Sequence, residues 1–375
     1  MHSAVVIVTS LTRSVSFLRQ SNFSLSVCCG KHPAKYKFHH QKGFIMEIFY
    51  PEYYTRFRCI AGACPDSCCH EWEVDVDPQA AKLYRALPGP LGDRLRSVLR
   101  DEDGSTLMTI TDGRCPMWRQ DGLCQIQAEL GHDALCATCR EFPRLTHDYG
   151  DFMERGLELS CPEAARLILT APALPMAAES VPGGDAPEYD TEAMAILRKS
   201  RETALALLES GRPMPETLAI LLLYAHGVQS ALDGGEETPF DPEDCLEKAK
   251  KFAQPGSLAA IFAFFRELEI LTPRWAQRLA AEPLAVPCPE DTRPLARYFL
   301  QRYWLQAVSD YDLIGRVKLT LIGCLLVTAL GGDFLQTAQL FSKEIENSTE
   351  NLEAILDGAY TSPAFTDVAL LGLLV

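Results

Sequence analysis

Nine of the fourteen cysteines fall between Cys59 and Cys161. Cys59, Cys64, Cys68 and Cys69 come first, then Cys115 and Cys124, then Cys136 and Cys139, and finally Cys161. A buried structural cysteine behaves as a small hydrophobe and has no reason to cluster. Thiols this dense share chemistry: a disulfide framework, zinc, or an iron–sulfur cluster. Each option requires separate segments to fold so that their sulfurs converge, and no hydrophobic pattern in this stretch is as demanding.

The compartment narrows the choice. Disulfide frameworks belong to secreted proteins, mostly small ones short of core. A chain of 375 residues, 47% hydrophobic, can build a large core or two. The apolar run in the first ten residues is too short for a signal peptide, and no small-x-small cleavage site follows it. No run reaches the roughly 18 apolar residues of a membrane span, and 319–330 reads as a buried core helix. The expectation is a cytoplasmic protein with reduced thiols and no membrane partner, which leaves metal. The net charge of −15 disfavours nucleic acid, since phosphate neutralisation needs a basic face. Arg293, Arg297 and Arg302, interleaved with Tyr298, Phe299, Tyr303 and Trp304, read as a helix with an aromatic core face and solvated arginines.

Four stretches follow from composition. Residues 1–45 hold six of the 35 Lys+Arg and no Asp or Glu, unlike the acidic remainder. They read as a leader, either transit-like or an upstream stretch with Met46 as initiator; the second is preferred. Residues 46–170 form the Cys-rich unit, with short irregular elements. Within it 74–77 alternates like a strand, and Asp77-Pro78 opens a helix to about 87 that Pro88-Gly89-Pro90 ends. Short helices are expected at 123–130 and 162–169. Residues 171–190, rich in Pro and Gly, read as a linker. Residues 191–375 follow a helical period throughout, a bundle of about seven or eight helices. The fold class expected is therefore mostly α: a Cys-rich metal-binding unit and then a helical bundle.

Zinc takes thiolates in pairs separated by two to four residues, and Cys64-x3-Cys68 with Cys136-x2-Cys139 is such a set. Iron–sulfur clusters also take four thiolates, with looser spacing. Nine thiols exceed one zinc site. Adjacent Cys68 and Cys69 point apart in an extended segment and so serve different ligand sets. These facts favour iron–sulfur, but spacing alone leaves zinc open. His70 reads as an ordinary neighbour of the thiols.

The residues around the thiols carry a likeness. Tyr53-Tyr54-x2-Phe57-x-Cys59, Cys64-x3-Cys68-Cys69-x2-Trp72, Cys115-Pro116, Cys136-x2-Cys139-Arg140-x-Phe142-Pro143-Arg144 and Glu158-Leu159-Ser160-Cys161-Pro162-Glu163 resemble the flagellin lysine-N-methylase family. The resemblance covers about 46–170. It implies methylation of lysine ε-amines on flagellin with S-adenosylmethionine as donor, and an iron–sulfur cluster, 4Fe-4S in type, held by the nine cysteines; zinc is the alternative. No Gly-rich turn follows a predicted strand, so a Rossmann-type donor site is not expected. The Cys-x3-Cys-x2-Cys of most radical enzymes is also absent. Polar transfer needs a neutral amine, and a tyrosine or carboxylate beside it would help. Tyr53, Tyr54, Glu158 and Glu163 are the candidates. Arg140 and Arg144 either bind the donor carboxylate or neutralise thiolate charge, the second being preferred. The competing reading is a non-enzymatic zinc or iron chelator whose helical domain binds a partner.

Overall fold

The computed structural model describes residues 45–69, 74–102, 104–236, 238–284 and 288–375. The leader reading, except for Ile45, lies outside the described residues, as do His70 and Trp72. The described chain is mostly helical, as expected, but the Cys-rich half is more regular than its sequence suggests. Its elements are β1 (Ile45–Tyr50), β2 (Val74–Asp75), α1 (Pro78–Ala86), α2 (Gly89–Val98), β3 (Leu99–Glu102), β4 (Ser105–Met108), α3 (Gln125–Leu130), α4 (Ala137–Glu141), β5 (Arg144–Asp148), β6 (Phe152–Leu157) and α5 (Pro162–Thr170). A strand β7 (Ala177–Pro182) then lies within the stretch read as a linker.

Helix α1 starts where Asp77 accepts hydrogen bonds from the Gln79 and Ala80 N–H groups, with Pro78 at its first position. Pro88-Gly89-Pro90 ends α1 but at once opens α2, because a proline in the first turn removes an N–H that has no helical partner anyway. Strands β2, β4 and β3 pair antiparallel in that order. With the first helices they enclose a small core around Tyr84, Leu91, Leu95, Met108 and Met117. The second sheet runs β5-β6-β1-β7, with β1 parallel to β6 and antiparallel to β7. Proline suits β7 because the strand lies at the sheet edge. Gly184, just beyond, has φ 104°, and a Cβ there would come within 3.2 Å of Met46 Cβ and Gly150 O.

Among the described residues ten α-helices follow: α6 (Thr191–Leu208), α7 (Met214–Leu232), α8 (Pro242–Phe252), α9 (Leu258–Arg266), α10 (Pro273–Ala280), α11 (Thr292–Tyr303), α12 (Leu313–Leu330), α13 (Phe334–Ile345), α14 (Thr349–Thr361) and α15 (Asp367–Leu374). That exceeds the seven or eight expected. The 334–356 stretch breaks where Ser348 caps α14, and the short α10 and α15 carry too few turns to show a period. Helix α12 has the length and apolarity of a membrane span, yet every residue in it is buried inside the protein. It packs against α7, α9, α11, α13 and α14. Its Lys318 is neutralised inside the fold, with Nζ 2.7 Å from Ala359 O and 2.8 Å from Asp367 Oδ1.

The second sheet joins the helical core. Phe152, Leu157 and Leu159 belong to the same apolar cluster as Leu197, Phe299 and Phe341. Arg201 on α6 forks onto Glu154 of β6 at 2.5 and 2.8 Å, and Arg198 lies over the Phe152 ring at 3.8 Å. Residues 74–136 thus own a separate small core, while the rest of the Cys-rich half packs with the helices.

Candidate functional site

The thiols lie along the seam between these two cores. Cys115, Cys124 and Cys136 pack on the small core. Cys161 caps α5 at the edge of the large one. Cys59, Cys64, Cys68 and Cys69 sit on the connecting segment, where the Cys115 N–H donates to Cys69 O at 2.8 Å. Electrostatic contact joins all nine. Cys68 is hydrogen-bonded to Cys69 and feels Cys59 and Cys161; Cys115 is hydrogen-bonded to Cys69. Cys124 lies near Cys69 and Cys136, and Cys161 near Cys64 and Cys59. Cys139 bonds Cys136 and faces both Cys68 and Cys69. Adjacent Cys68 and Cys69 do look partly different ways, one toward Cys59 and Cys161, the other toward Cys115 and Cys124.

Crowding keeps most of these thiols protonated. The hydrogen bonds to Cys69, and then burial, push Cys68 and Cys115 up. Burial pushes Cys161 up to about 11. The pair Cys136 and Cys139 shares a proton: their hydrogen bond holds Cys136 below the ordinary thiol range and Cys139 above it. The donor chemistry is that of a soft-metal site. Among the described residues, however, no group of three or more His, Cys, Asp or Glu side chains is arranged to hold a metal ion.

Polar contacts fix both sides of the seam. Asp77 caps α1 with one carboxylate oxygen and holds the Ala137 N–H, at the start of α4, with the other at 2.8 Å. Burial pulls its pKa up, but the three backbone donors and Arg140 outweigh this and hold it below the usual carboxylate range. Across the seam Lys343 of α13 pairs with Asp66 at 2.9 Å. Gln339, one turn earlier, donates to Asp66 at 2.8 Å and to Ser160 O at 2.7 Å.

Behind Cys161 lies a buried polar network that the sequence hid. The Leu159 N–H donates to the Tyr298 hydroxyl at 3.3 Å, and Arg302 donates to the same oxygen at 2.7 Å. Both Tyr298 and Tyr303 donate to Glu346, whose Oε1 is 3.3 Å from Arg302 Nε. Arg302 is therefore not the solvated arginine expected; its side chain is 8% exposed. Arg297 is likewise drawn in, onto Glu209 at 2.8 Å. Long arginines on an aromatic helix face suggest solvent exposure by their charge, and only the neighbouring helix supplies the carboxylate that lets them turn inward.

Of the candidates, Tyr53 is buried and lines a cleft of about 40 Å³ with His147, Glu154, Tyr298 and Arg302. A second cavity of about 20 Å³ shares Tyr53 and Tyr298 as its wall. Glu158 is buried beside Ser160, and burial raises its pKa despite nearby Arg302. Tyr54 instead packs toward Tyr50, ring centroids 5.8 Å apart, and does not line either cavity. Glu163 is held by Arg166 at 2.7 Å. Arg140 lies beside Glu141 and Leu135 O, close enough to Asp77 to act on its charge. Arg144 covers the Phe57 ring at 5.1 Å. The structure thus brings Tyr53 and Glu158 to one network and leaves Tyr54 and Glu163 outside it. His147, Tyr298, Arg302 and Glu346 are the members that sequence reasoning missed.

Comparison with known proteins gives three informative matches. The chain is 33% identical over 132 residues to a lysine-N-methylase of Salmonella typhimurium, covering 32% of each chain. A lysine-N-methylase of Salmonella choleraesuis matches with the same identity and coverage. The flagellar biosynthetic protein FliU of Salmonella muenchen matches at 33% over 132 residues, covering 76% of that protein and 32% of this chain. The match thus spans about a third of the length of the two lysine-N-methylases. No family model matches, and no solved structure matches. With identity at this level and three quarters of one relative covered, this chain belongs to the flagellin lysine-N-methylase family.

Proposed function

We propose that this protein transfers a methyl group from S-adenosylmethionine to lysine ε-amines of flagellin, and that ligands drawn from its nine clustered thiols hold an iron–sulfur cluster, 4Fe-4S in type, with zinc the alternative. The observation that supports this reading is the electrostatic coupling of the clustered thiols, with a buried Tyr–Arg–carboxylate network bonded to the Leu159 N–H two residues before Cys161. In the transfer the amine lone pair forms an N–C bond to the sulfonium methyl. The C–S bond breaks, its electron pair stays on sulfur, and the methylated ammonium later loses a proton to solvent. Cys68, Cys69, Cys115, Cys124, Cys136 and Cys139 are the first ligand candidates, with Cys59, Cys64 and Cys161 beside them. A bound metal would stabilise the thiolates and add its binding free energy to folding. The acidic chain, net −15, suits a lysine-bearing partner, since opposite charge speeds encounter at low salt. We place the reaction in the cytoplasm, where thiols stay reduced.

Anaerobically purified, metal-loaded protein is incubated with flagellin and S-adenosylmethionine, and flagellin is then weighed by mass spectrometry. Methyl-sized mass gains on lysines are the expected result. No gain on any lysine with the metal site full would sink the enzyme reading and leave the chelator.

A further inference from the structure

The cleft beside Tyr53 has a shape and polarity that the methyl-transfer reading does not by itself explain. Strand register creates it. His147 stands opposite Glu154 and Leu145 opposite Gly156, so these four positions face the same side of the β5–β6 ladder, toward α11. Pro51, Leu145, Leu157 and Met176 form apolar walls, and Met176, Arg155 and Gln301 stand partly exposed at the rim. At Gly156 a side chain is missing: a Cβ there would meet nothing within 4 Å. The cavity holds about 40 Å³. At roughly 10–15 Å³ for each water-sized group, it takes about three such groups. That is too small for a nucleoside and large enough for the end of one side chain.

The charges inside select further. Glu154 is already forked onto Arg201, so its charge is spent. Arg302 is buried as well and is already paired with Glu346 at 3.3 Å. His147, facing Arg302 from α11, Glu154 from β6 and the Gln306 amide at 3.4 Å, is kept neutral chiefly by burial and then by Arg302, its pKa lowered to about 4. Among the described lining residues a cation meets no unpaired carboxylate, since Glu154 is spent on Arg201. An uncharged amine meets the Tyr53 hydroxyl as an acceptor, while the imidazole Nε2 already accepts from the Gln306 amide.

We propose that this cleft is the lysine port of the enzyme: it admits Cδ, Cε and Nζ of a protein lysine between Pro51, Leu145 and Leu157 and sets the amine against His147 and Arg302. The inference rests on the methylase reading and deepens it. Apolar walls strip water from the ammonium and leave it no unpaired carboxylate, so the lysine sheds its proton to solvent on entry. The same logic activates lysines desolvated in hydrophobic pockets. An amine N–H donated to the Tyr53 hydroxyl then leaves the nitrogen lone pair pointing away from it, free for the methyl carbon. The network behind the port runs from Tyr298 to the Leu159 N–H, two residues before Cys161, and ties its geometry to the thiol seam.

Gly156→Val tests this directly. It adds three carbons at a position where a Cβ meets nothing within 4 Å, and a β-branched residue suits a strand. The expected result is unchanged metal content and an unchanged or higher melting temperature, with methyl transfer to flagellin down by about a hundredfold, as misplacement of a reacting group by an ångström can give. Transfer at the wild-type rate overturns the port. His147→Leu and His147→Gln make a second arm that does not depend on packing at Gly156. Leu, which leaves the Gln306 amide without its partner at the cleft wall, should slow transfer, and Gln, which keeps a polar group there, should recover part of the rate. Wild-type rates in both overturn the port as well. If wild-type protein itself transfers no methyl, the methylase reading has failed, which is a different result from a plugged variant that still works.

Discussion

The small unit at 74–136 and the helical body are held together by opposite means. The body buries Trp275, Trp304 and several phenylalanines in one continuous core, with a central helix that has no exposed face. The small unit has one short sheet, a dozen buried side chains and a heavy share of thiols. A core built from fewer than about 70–80 residues seldom supplies more than about 3–5 kcal/mol, and small natural domains add disulfides or metal to compensate. The thiols sit where that shortfall falls, along the face the small unit turns to the body. On the proposed reading, a metal held by these cysteines would join a unit that is weak alone to one that is not.

The largest test of this contrast replaces Cys136 and Cys139 with Ser together. Methyl transfer should be abolished, and hydrogen exchange should show 74–136 losing protection while α7 and α12 keep theirs. The physical ground is that a structural metal site contributes folding free energy directly. Loss of protection in both regions at once would break the two-core picture.

Asp77→Ala sharpens it at lower amplitude. The change removes the α1 cap and leaves the Ala137 N–H without its carboxylate. A lost cap costs about 0.5–2 kcal/mol, and a stranded buried donor costs about 1–3 kcal/mol. Denaturant unfolding should therefore lose roughly 2 kcal/mol, with the metal content of the seam reduced because α4 carries Cys139. A change confined to stability, with metal content intact, would show that α4 keeps its place without Asp77.

The smallest effect belongs to the body. His147 is held neutral, with its pKa lowered from 6.5 to about 4. Between those values the unfolded chain binds a proton that the folded chain refuses, so stability should fall as pH drops through that window. His147→Gln should lose this part of the acid sensitivity. The check is the urea midpoint at pH 7 and pH 5 for both proteins; an equal fall in each would assign the titration elsewhere.

Legibility differed between the two regions for physical reasons. Asp190, Asp241 and Asp333 cap helices that a 3.6-residue period already marks, and those elements were readable because capping and periodicity are local. Strands β1, β5 and β6 were not readable. Strand β1 pairs only with partners distant in sequence, Glu47 with Phe152 and with Ser180, and the β5–β6 hairpin is completed only by β1 and by α11 against its inner face. The short, irregular look of 46–170 comes from elements that find their stability in such pairings.

By itself the sequence determined that nine thiols cluster between Cys59 and Cys161, that the chain is mostly helical, and which family its thiol-bearing segments resemble. Residue type and spacing carry those facts. Tertiary structure alone decided that Arg302 turns inward, that His147 faces it across a cleft, and that Gly156 leaves room there. A charged or polar side chain is buried only when a distant element supplies its partner, and Glu346 lies 44 residues beyond Arg302 in the chain. No local pattern records such a partner, so the site could be read only after the helices had been packed.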